Sequence, residues 1–219
     1  MTRNGLRILD LCCGAGGAAM GYWLAGFGVT GVDVAPQPRY PFPFVHADAL
    51  TFPLEGFDAV HASPPCQAWT MAQRIRCNDH PDLIAPLRDR LAAAGLPFVI
   101  ENVPGAPLRD PVTLCGAMWA GLAVYRHREF EVSFPLTAPT HPAHRARLAK
   151  MGRSPRPGEF MHVVGNFSGA AQARQAMGIG WMTRDELSEA IPPAYTRHVG
   201  HALAAHLTAP GECSAVAAD

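Results

Sequence analysis

Lysine is almost absent from this 219-residue chain: Lys150 stands alone among eighteen basic residues, and the other seventeen are arginine. Arginine suits phosphate and base-edge contacts better than lysine, because its planar fork meets two acceptors at once. A GC-rich genome, in which Arg, Ala, Gly and Pro rise together, accounts for most of this bias. Net charge is lacking as well. Eighteen basic residues balance eighteen acidic ones and charged residues make up 16%, so no general affinity for nucleic acid is expected from charge alone. The distribution is less even, since six Arg and one Lys between Arg126 and Arg156 face two Glu. No apolar run approaches the roughly 20 residues of a membrane span, and the first residues carry no signal-peptide pattern. With six cysteines in a domain of this size, a disulfide scaffold is not implied, and a reducing, cytoplasmic location is expected. There is no C-x-x-C with a second pair, so neither zinc nor any other metal is expected. Internal repeats are lacking. One domain over 1–207 with a flexible tail at 208–219 is the simplest organisation, taken as a monomer.

What the chain does have is a set of strand-like segments that end in chemistry. Phe57-Asp58-Ala59-Val60-His61-Ala62 alternates as a short strand, and Ser63-Pro64-Pro65-Cys66 follows. The prolines exclude helix and deliver Cys66 rigidly at the strand's carboxyl end, where ligands sit in parallel α/β sheets. A thiol there is either a small buried hydrophobe or a nucleophile. Phe98 to Val103 is a second buried strand, ending in Glu101 and Asn102. Arg7 to Cys12 is a third, running into Gly14-Ala15-Gly16-Gly17, a small-residue helix over Ala18 to Gly26, and then Val29 to Val34 with Asp33 about 20 residues beyond the glycines. That is the βαβ arrangement of a nucleotide-binding half-domain.

Other segments leave alternatives open. Asp48, after the strand-like Phe44-Val45-His46, is equally a turn cap or a partner for an exocyclic amine. The stretch from Ala68 to Asn78, with Arg74 and Arg76, is either a solvated connection or a loop that closes over substrate. Leu83, Leu87 and Leu91 recur at helical spacing as core, with Gly95 past the helix end. Arg126 to Glu131 alternates as a strand with Arg126 and Arg128 on one face, either salt-bridged at the surface or binding a phosphate or a reacting base. Phe134 to Pro157 is an irregular basic excursion. Thr183 and Glu186 are spaced for a capping box, and Ile191-Pro192-Pro193 opens a last helix.

Asp10-Leu11-Cys12-Cys13-Gly14-Ala15-Gly16-Gly17, Pro65-Cys66-Gln67, Glu101-Asn102-Val103 and the segment Ile191 to Ala202 occur in an order and spacing that resembles the DNA (cytosine-5) methyltransferases. The resemblance covers most of Arg7 to Leu207. It implies an α/β fold: a Rossmann-like S-adenosylmethionine-dependent methyltransferase sheet with one antiparallel strand, helices on both faces and a small irregular insertion at 134–160 for target recognition. It implies S-adenosylmethionine as methyl donor, held by Cys12, Gly14, Ala15, Gly16 and Gly17, by Asp33 and Val34 at the ribose, and by Asp48 and Ala49 at the adenine. Pro65, His201 and Ala202 complete that pocket. Cys66 is implied as the nucleophile toward carbon 6 of a cytosine flipped out of double-stranded DNA. Glu101 is implied to bind the ring, and Arg128, with Arg126, to orient the base and lower the thiol pKa. Ser63, Gln67, Asn102, Arg74 and Arg76 are the implied substrate contacts. The chain departs from the family pattern where Cys12 replaces a usual Phe, where Arg126-His127-Arg128 lacks a leading Gln, and where His201 replaces a common Asn. Only about sixty residues separate Arg128 from Ile191, which implies short or relaxed specificity, as in compact phage-type members.

Overall fold

Ile8-Leu9-Asp10-Leu11, four buried residues in a row, commit strand β1 (Arg7–Leu11) to a place covered on both faces. Alternation then divides the side chains. Ile8 joins one apolar cluster and Leu9 and Leu11 another, as period-2 geometry requires. The computed structural model describes residues 3–66, 69, 82–150 and 152–209. Within them β1 is followed by α1 (Gly17–Leu24), β2 (Gly28–Asp33), β3 (Phe44–His46), β4 (Ala59–Ala62), α2 (Ile84–Ala94), β5 (Phe98–Asn102), β6 (Val112–Leu114), β7 (Arg128–Val132), α3 (Ala170–Met177), α4 (Arg184–Glu189) and α5 (Pro193–Thr208).

The sheet runs β3-β2-β1-β4-β5-β7-β6. Strands β1 to β5 pair in parallel, and β7 is antiparallel to both of its neighbours. This is the expected Rossmann-like sheet with one reversed strand. Helices α1 and α5 cover one face with Tyr22, Tyr195, Val199 and Leu203, and α2 covers the other with Ile84, Leu87 and Leu91. The contact between α1 and α5 depends on Gly21, where a Cβ would lie 2.0 Å from Thr196 Oγ1. That hydroxyl donates to the Ala18 carbonyl at 2.8 Å.

Several expectations need correction. Leu87 and Leu91 are core, but Leu83 precedes α2 and is only partly buried. Strand β7 begins at Arg128, so Arg126 does not share a strand face with it. Arg126 stands in a left-handed turn at φ 24. Strand β6 and helix α3 were not anticipated, because three residues and an alanine-rich turn of helix carry little periodic signal. The Thr183–Glu186 capping box is present. Described residues of 134–160 form no helix or strand, only an isolated bridge from Leu148 to Phe160. Beyond them a third apolar cluster of Met161, Val163, Phe167, Met177, Ile179 and Leu187 joins α3 to α4. Thr208 closes α5, and the rest of the expected tail from 210 onward lies outside the described residues. Among the described residues no helix is long and apolar enough to cross a membrane.

On the α2 face β7 is held by a buried ion pair. Arg88 meets Glu131 through two hydrogen bonds of 2.6 and 2.7 Å, and also donates to the Pro107 carbonyl at 2.7 Å. Both side chains are 7% exposed. Removing one member strands a buried charge, which costs about 3–5 kcal/mol. Arg88→Ala is therefore expected to lower the unfolding free energy by about that amount. Denaturant titration checks it, and a change within the scatter of a surface substitution would refute this role for the pair.

Candidate active site

The carboxyl ends of β1, β4 and β5 open into one cleft of about 330 Å³, the place where a parallel sheet presents ligands. At the end of β1 the backbone turns left-handed at Cys12 (φ 54), Gly14 (φ 48) and Gly16 (φ 85). A positive φ costs energy in a residue with a side chain, and such strain clusters at functional sites. Gly17 allows a close approach, since a Cβ there would sit 2.5 Å from the Ile191 carbonyl oxygen. The turn is fastened on two sides. Gly14 N–H donates to Asp33 at 2.9 Å, and Trp181 Nε1 donates to the Ala15 carbonyl at 2.8 Å.

Of the residues expected at the cofactor, Cys12, Gly14, Ala15, Gly17, Asp33, Val34, Asp48, Ala49 and Pro65 line this cleft. Gly16 lies behind the wall, its Cα facing Tyr40 and Pro41. Asp33 caps its own loop by accepting from Ala35 N–H at 2.9 Å. Asp48 caps a turn, accepting from Leu50 N–H at 2.8 Å, while it also lines the cleft. Val34 is 75% exposed, an apolar side chain bare at the cleft wall. His201 and Ala202 do not reach the cleft. They lie more than two turns along α5, whose inward face is Tyr195, Thr196, Val199, Gly200 and Leu203, and His201 points outward. The chain closes the cleft earlier, with Met182, Glu186, Glu189, Ala190 and Ile191. Sequence reasoning missed these residues, although the Thr183–Glu186 capping box marked where that helix starts.

At the other end of the cleft stand Cys66, Ser63, Glu101 and Arg128. Arg128 Nε lies 3.0 Å from Glu101 Oε1, with the two side chains 12% and 6% exposed. Burial raises the Glu101 carboxyl above its ordinary range, while Arg128, Arg126 and the Ser63 hydroxyl pull it down. Burial likewise raises the Cys66 thiol, and Arg128 is the strongest influence in the opposite direction. The expectation of a depressed thiol is therefore corrected: the arginine limits the rise without reversing it. His61 lies under this group, kept neutral by burial with its pKa near 3. Its ring bridges Tyr22 Oη at 2.9 Å and Ser63 Oγ at 2.8 Å.

Asn102 also lines the cleft. It is buried, with its amide donating to the Pro64 carbonyl at 3.0 Å and its oxygen accepting from Val103 N–H at 2.9 Å, so its side chain holds the Cys66 loop. One further expectation changes. Arg126 donates to the carbonyls of Val163 at 2.6 Å and Ser188 at 2.8 Å. It does not line the cleft, and burial beside Arg128 lowers its pKa to about 9. Gln67, Arg74 and Arg76 lie outside the described residues. One group away from the cleft bears on the expectation of no metal: Cys115, His127, His141 and His144 converge.

No family model and no curated protein matches the sequence. Solved structures do match in shape. A prophage-encoded E. coli protein regarded as a DNA modification methyltransferase superposes with a TM-score of 0.64 at 14% identity, covering 91% of this chain and 98% of its own. The methyltransferase EhMeth of Entamoeba histolytica gives 0.60 at 11%, and the Dnmt2 methyltransferase of S. pombe 0.56 at 12%, each over 92% of this chain and 98% of theirs. At such identities the likeness is one of fold. The chain has the α/β Rossmann-like fold of S-adenosylmethionine-dependent methyltransferases.

The thiol's raised pKa has a measurable consequence. Cys66 is expected to be protonated at neutral pH, with alkylation by iodoacetamide accelerating only above the ordinary thiol range. Arg128→Ala moves that midpoint to still higher pH. Peptide-resolved mass spectrometry of the alkylated protein reads both, and full reactivity of Cys66 at neutral pH would contradict the assignment.

Proposed function

We propose that this protein is a DNA cytosine-5 methyltransferase that uses S-adenosylmethionine and forms a covalent adduct through Cys66. The observation that carries this reading is the sharing of one cleft by a thiol, a buried carboxyl–guanidinium pair and a strained glycine turn.

The cleft suits the donor on its own chemistry. Asp33, Asp48, Glu186 and Glu189 line it beside Arg128, a balance that favours a cationic ligand. The exposed Val34 offers an apolar face, and the backbone at Gly14 leaves open space where a side chain would stand. The volume falls at the lower end of small-molecule sites. Gly14, Ala15 and Gly17 are the residues to hold the methionine part, Asp33 and Val34 the ribose, and Asp48 with Ala49 the adenine. When bound, S-adenosylmethionine supplies an electrophilic methyl group on a sulfonium.

The residues of the chain do the rest. Carbon 5 of cytosine is a weak nucleophile while the ring is aromatic. Cys66 attacks carbon 6 as the thiolate, which turns carbon 5 into an enamine carbon. Glu101, with its carboxyl pKa raised by burial, holds a proton more readily than a surface carboxyl and can give it to ring nitrogen 3 as negative charge develops there. Arg128 keeps Glu101 oriented and stabilises the thiolate while it exists. After methylation the carbon-5 proton is lost to solvent water, the Cys66 sulfur departs as the thiolate, and ring nitrogen 3 returns its proton to Glu101, restoring the ring. Neither face of a stacked base is open to such attack, so the base must leave the duplex.

Transfer of labelled methyl from S-adenosylmethionine to duplex DNA tests this, with cytidine nucleotides and RNA as parallel substrates. Label is expected in DNA. Cys66→Ala abolishes it, and Glu101→Gln reduces the rate by about 10²–10³-fold, the loss of one transition-state donor. Label confined to nucleotide or RNA would move the substrate class, and no label despite donor binding would overturn the reading.

A further inference from the structure

Strands β6 and β7 pair with Leu114 opposite Arg128. The next rung of that antiparallel register brings Cys115 opposite His127. Two more side chains reach the same point from the irregular excursion, His141 and His144, spaced H-x-x-H. Cys115 Sγ lies 3.3 Å from His144 Nε2, and His127 Nε2 lies 3.3 Å from His141 Nε2. All four donor atoms fall within 4.8 Å of one another. Around a tetrahedral zinc, with bonds of about 2.3 Å to sulfur and 2.0–2.1 Å to nitrogen, neighbouring donors stand roughly 3.3–3.6 Å apart. The two short separations match those edges, and the longer ones need only a small closure.

The alternatives explain the cluster poorly. It contains no carboxylate to neutralise three imidazoles, so charged rings would repel. A hydrogen bond between two imidazole nitrogens satisfies one donor and leaves the other rings and the thiol converging without purpose. Neutral imidazole is the metal-binding form. Tyr125 stacks on the His144 ring at 3.7 Å and 14°, while its hydroxyl donates to the Ala146 carbonyl at 2.8 Å. Such packing orients a ligating ring. One sulfur and three nitrogens suit zinc rather than calcium or magnesium.

We propose that Cys115, His127, His141 and His144 bind one zinc ion. Four protein ligands leave no open position, so the site is structural. It ties the irregular excursion to the sheet edge where His127 directly precedes Arg128, and it thereby fixes the loop relative to the cleft.

Untagged full-length protein, purified without chelator, is expected to carry about one zinc per chain by elemental mass spectrometry. Replacement by cobalt(II) gives the intense ligand-field bands of a tetrahedral site with a thiolate-to-cobalt charge-transfer band. Cys115→Ser removes the charge-transfer band. His141→Ala alters an exposed residue away from the core, so it should fold, and it lowers metal content severalfold, whereas Cys66→Ala leaves metal content unchanged. Chelation also speeds tryptic cleavage at Arg145, Arg147 and Lys150. Protein that holds no zinc and gives no tetrahedral cobalt spectrum overturns the proposal. So does metal that survives undiminished in both His141→Ala and His144→Ala.

Discussion

The ion pair between Arg128 and Glu101 is the contact on which the geometry of the cleft depends. Each group is almost fully buried, and each alone would be a stranded charge. They meet because β7 runs antiparallel to β5 with Phe130 opposite Glu101, which puts Arg128 diagonally across on the same face. The register is secured on the other face by Arg88 and Glu131, so β7 is gripped by charge from both sides. Arg126 adds a third fixation, through the carbonyls of Val163 and Ser188. A slip of one residue would break all of these together. The reversed strand therefore sets where Arg128, the one arginine lining the cleft among the described residues, can stand.

That arginine works against its surroundings. Five acids line the cleft against Arg128, and burial raises both the Cys66 thiol and the Glu101 carboxyl above their ordinary ranges. A free protein in this state has an inert thiol, which guards it against oxidation and stray alkylation. Activation then requires a change at the site itself, and in the proposed chemistry a base docking against Glu101 provides one. Proton transfer from Glu101 to ring nitrogen 3 would restore the carboxylate and draw electron density away from carbon 6, which makes that carbon easier to attack. In the proposed chemistry the low dielectric that suppresses the thiol at rest also strengthens the pull of Arg128 on the thiolate once it forms.

Much of the fold was legible because its signals are local. The buried runs of β1, β4 and β5, the glycine turn with Asp33 about 20 residues on, the Thr183–Glu186 capping box and Gly95 at a helix end each follow from a few neighbouring residues. The site residues of the strand ends came with them. What was not legible depends on long-range packing. His201 and Ala202 sit in the right helix but two turns too far along, because helix phase is decided by what Thr196 and Gly21 allow. Arg126 has the right chemistry for a substrate, yet backbone carbonyls distant in sequence take its donors. The cluster at Cys115 escaped any spacing rule, since a sheet register, rather than a motif, assembles half of it.

The excursion at 134–160 raises a different physical problem. Its described residues have no helix or strand of their own, and ordering an irregular segment costs conformational entropy that internal contacts must offset. Some of its contacts close within the segment, such as Phe160 N–H to the Arg147 carbonyl at 2.9 Å, and others run outward onto the sheet and helices. His198 donates to the Thr137 carbonyl at 2.8 Å, and Tyr125 stacks on His144 and packs against Phe160. Inside the segment, Arg153 and Glu159 close a small loop at 2.7 Å. The segment thus borrows its order from the stretch between β6 and β7, the same stretch that ends in Arg128. Whatever grips the excursion from outside presses on that strand, and the two respond together. A separate recognition domain could read a target independently of the catalytic strand; a loop held in this way cannot. Under the proposed function, reading the target and aligning the arginine would become one structural event.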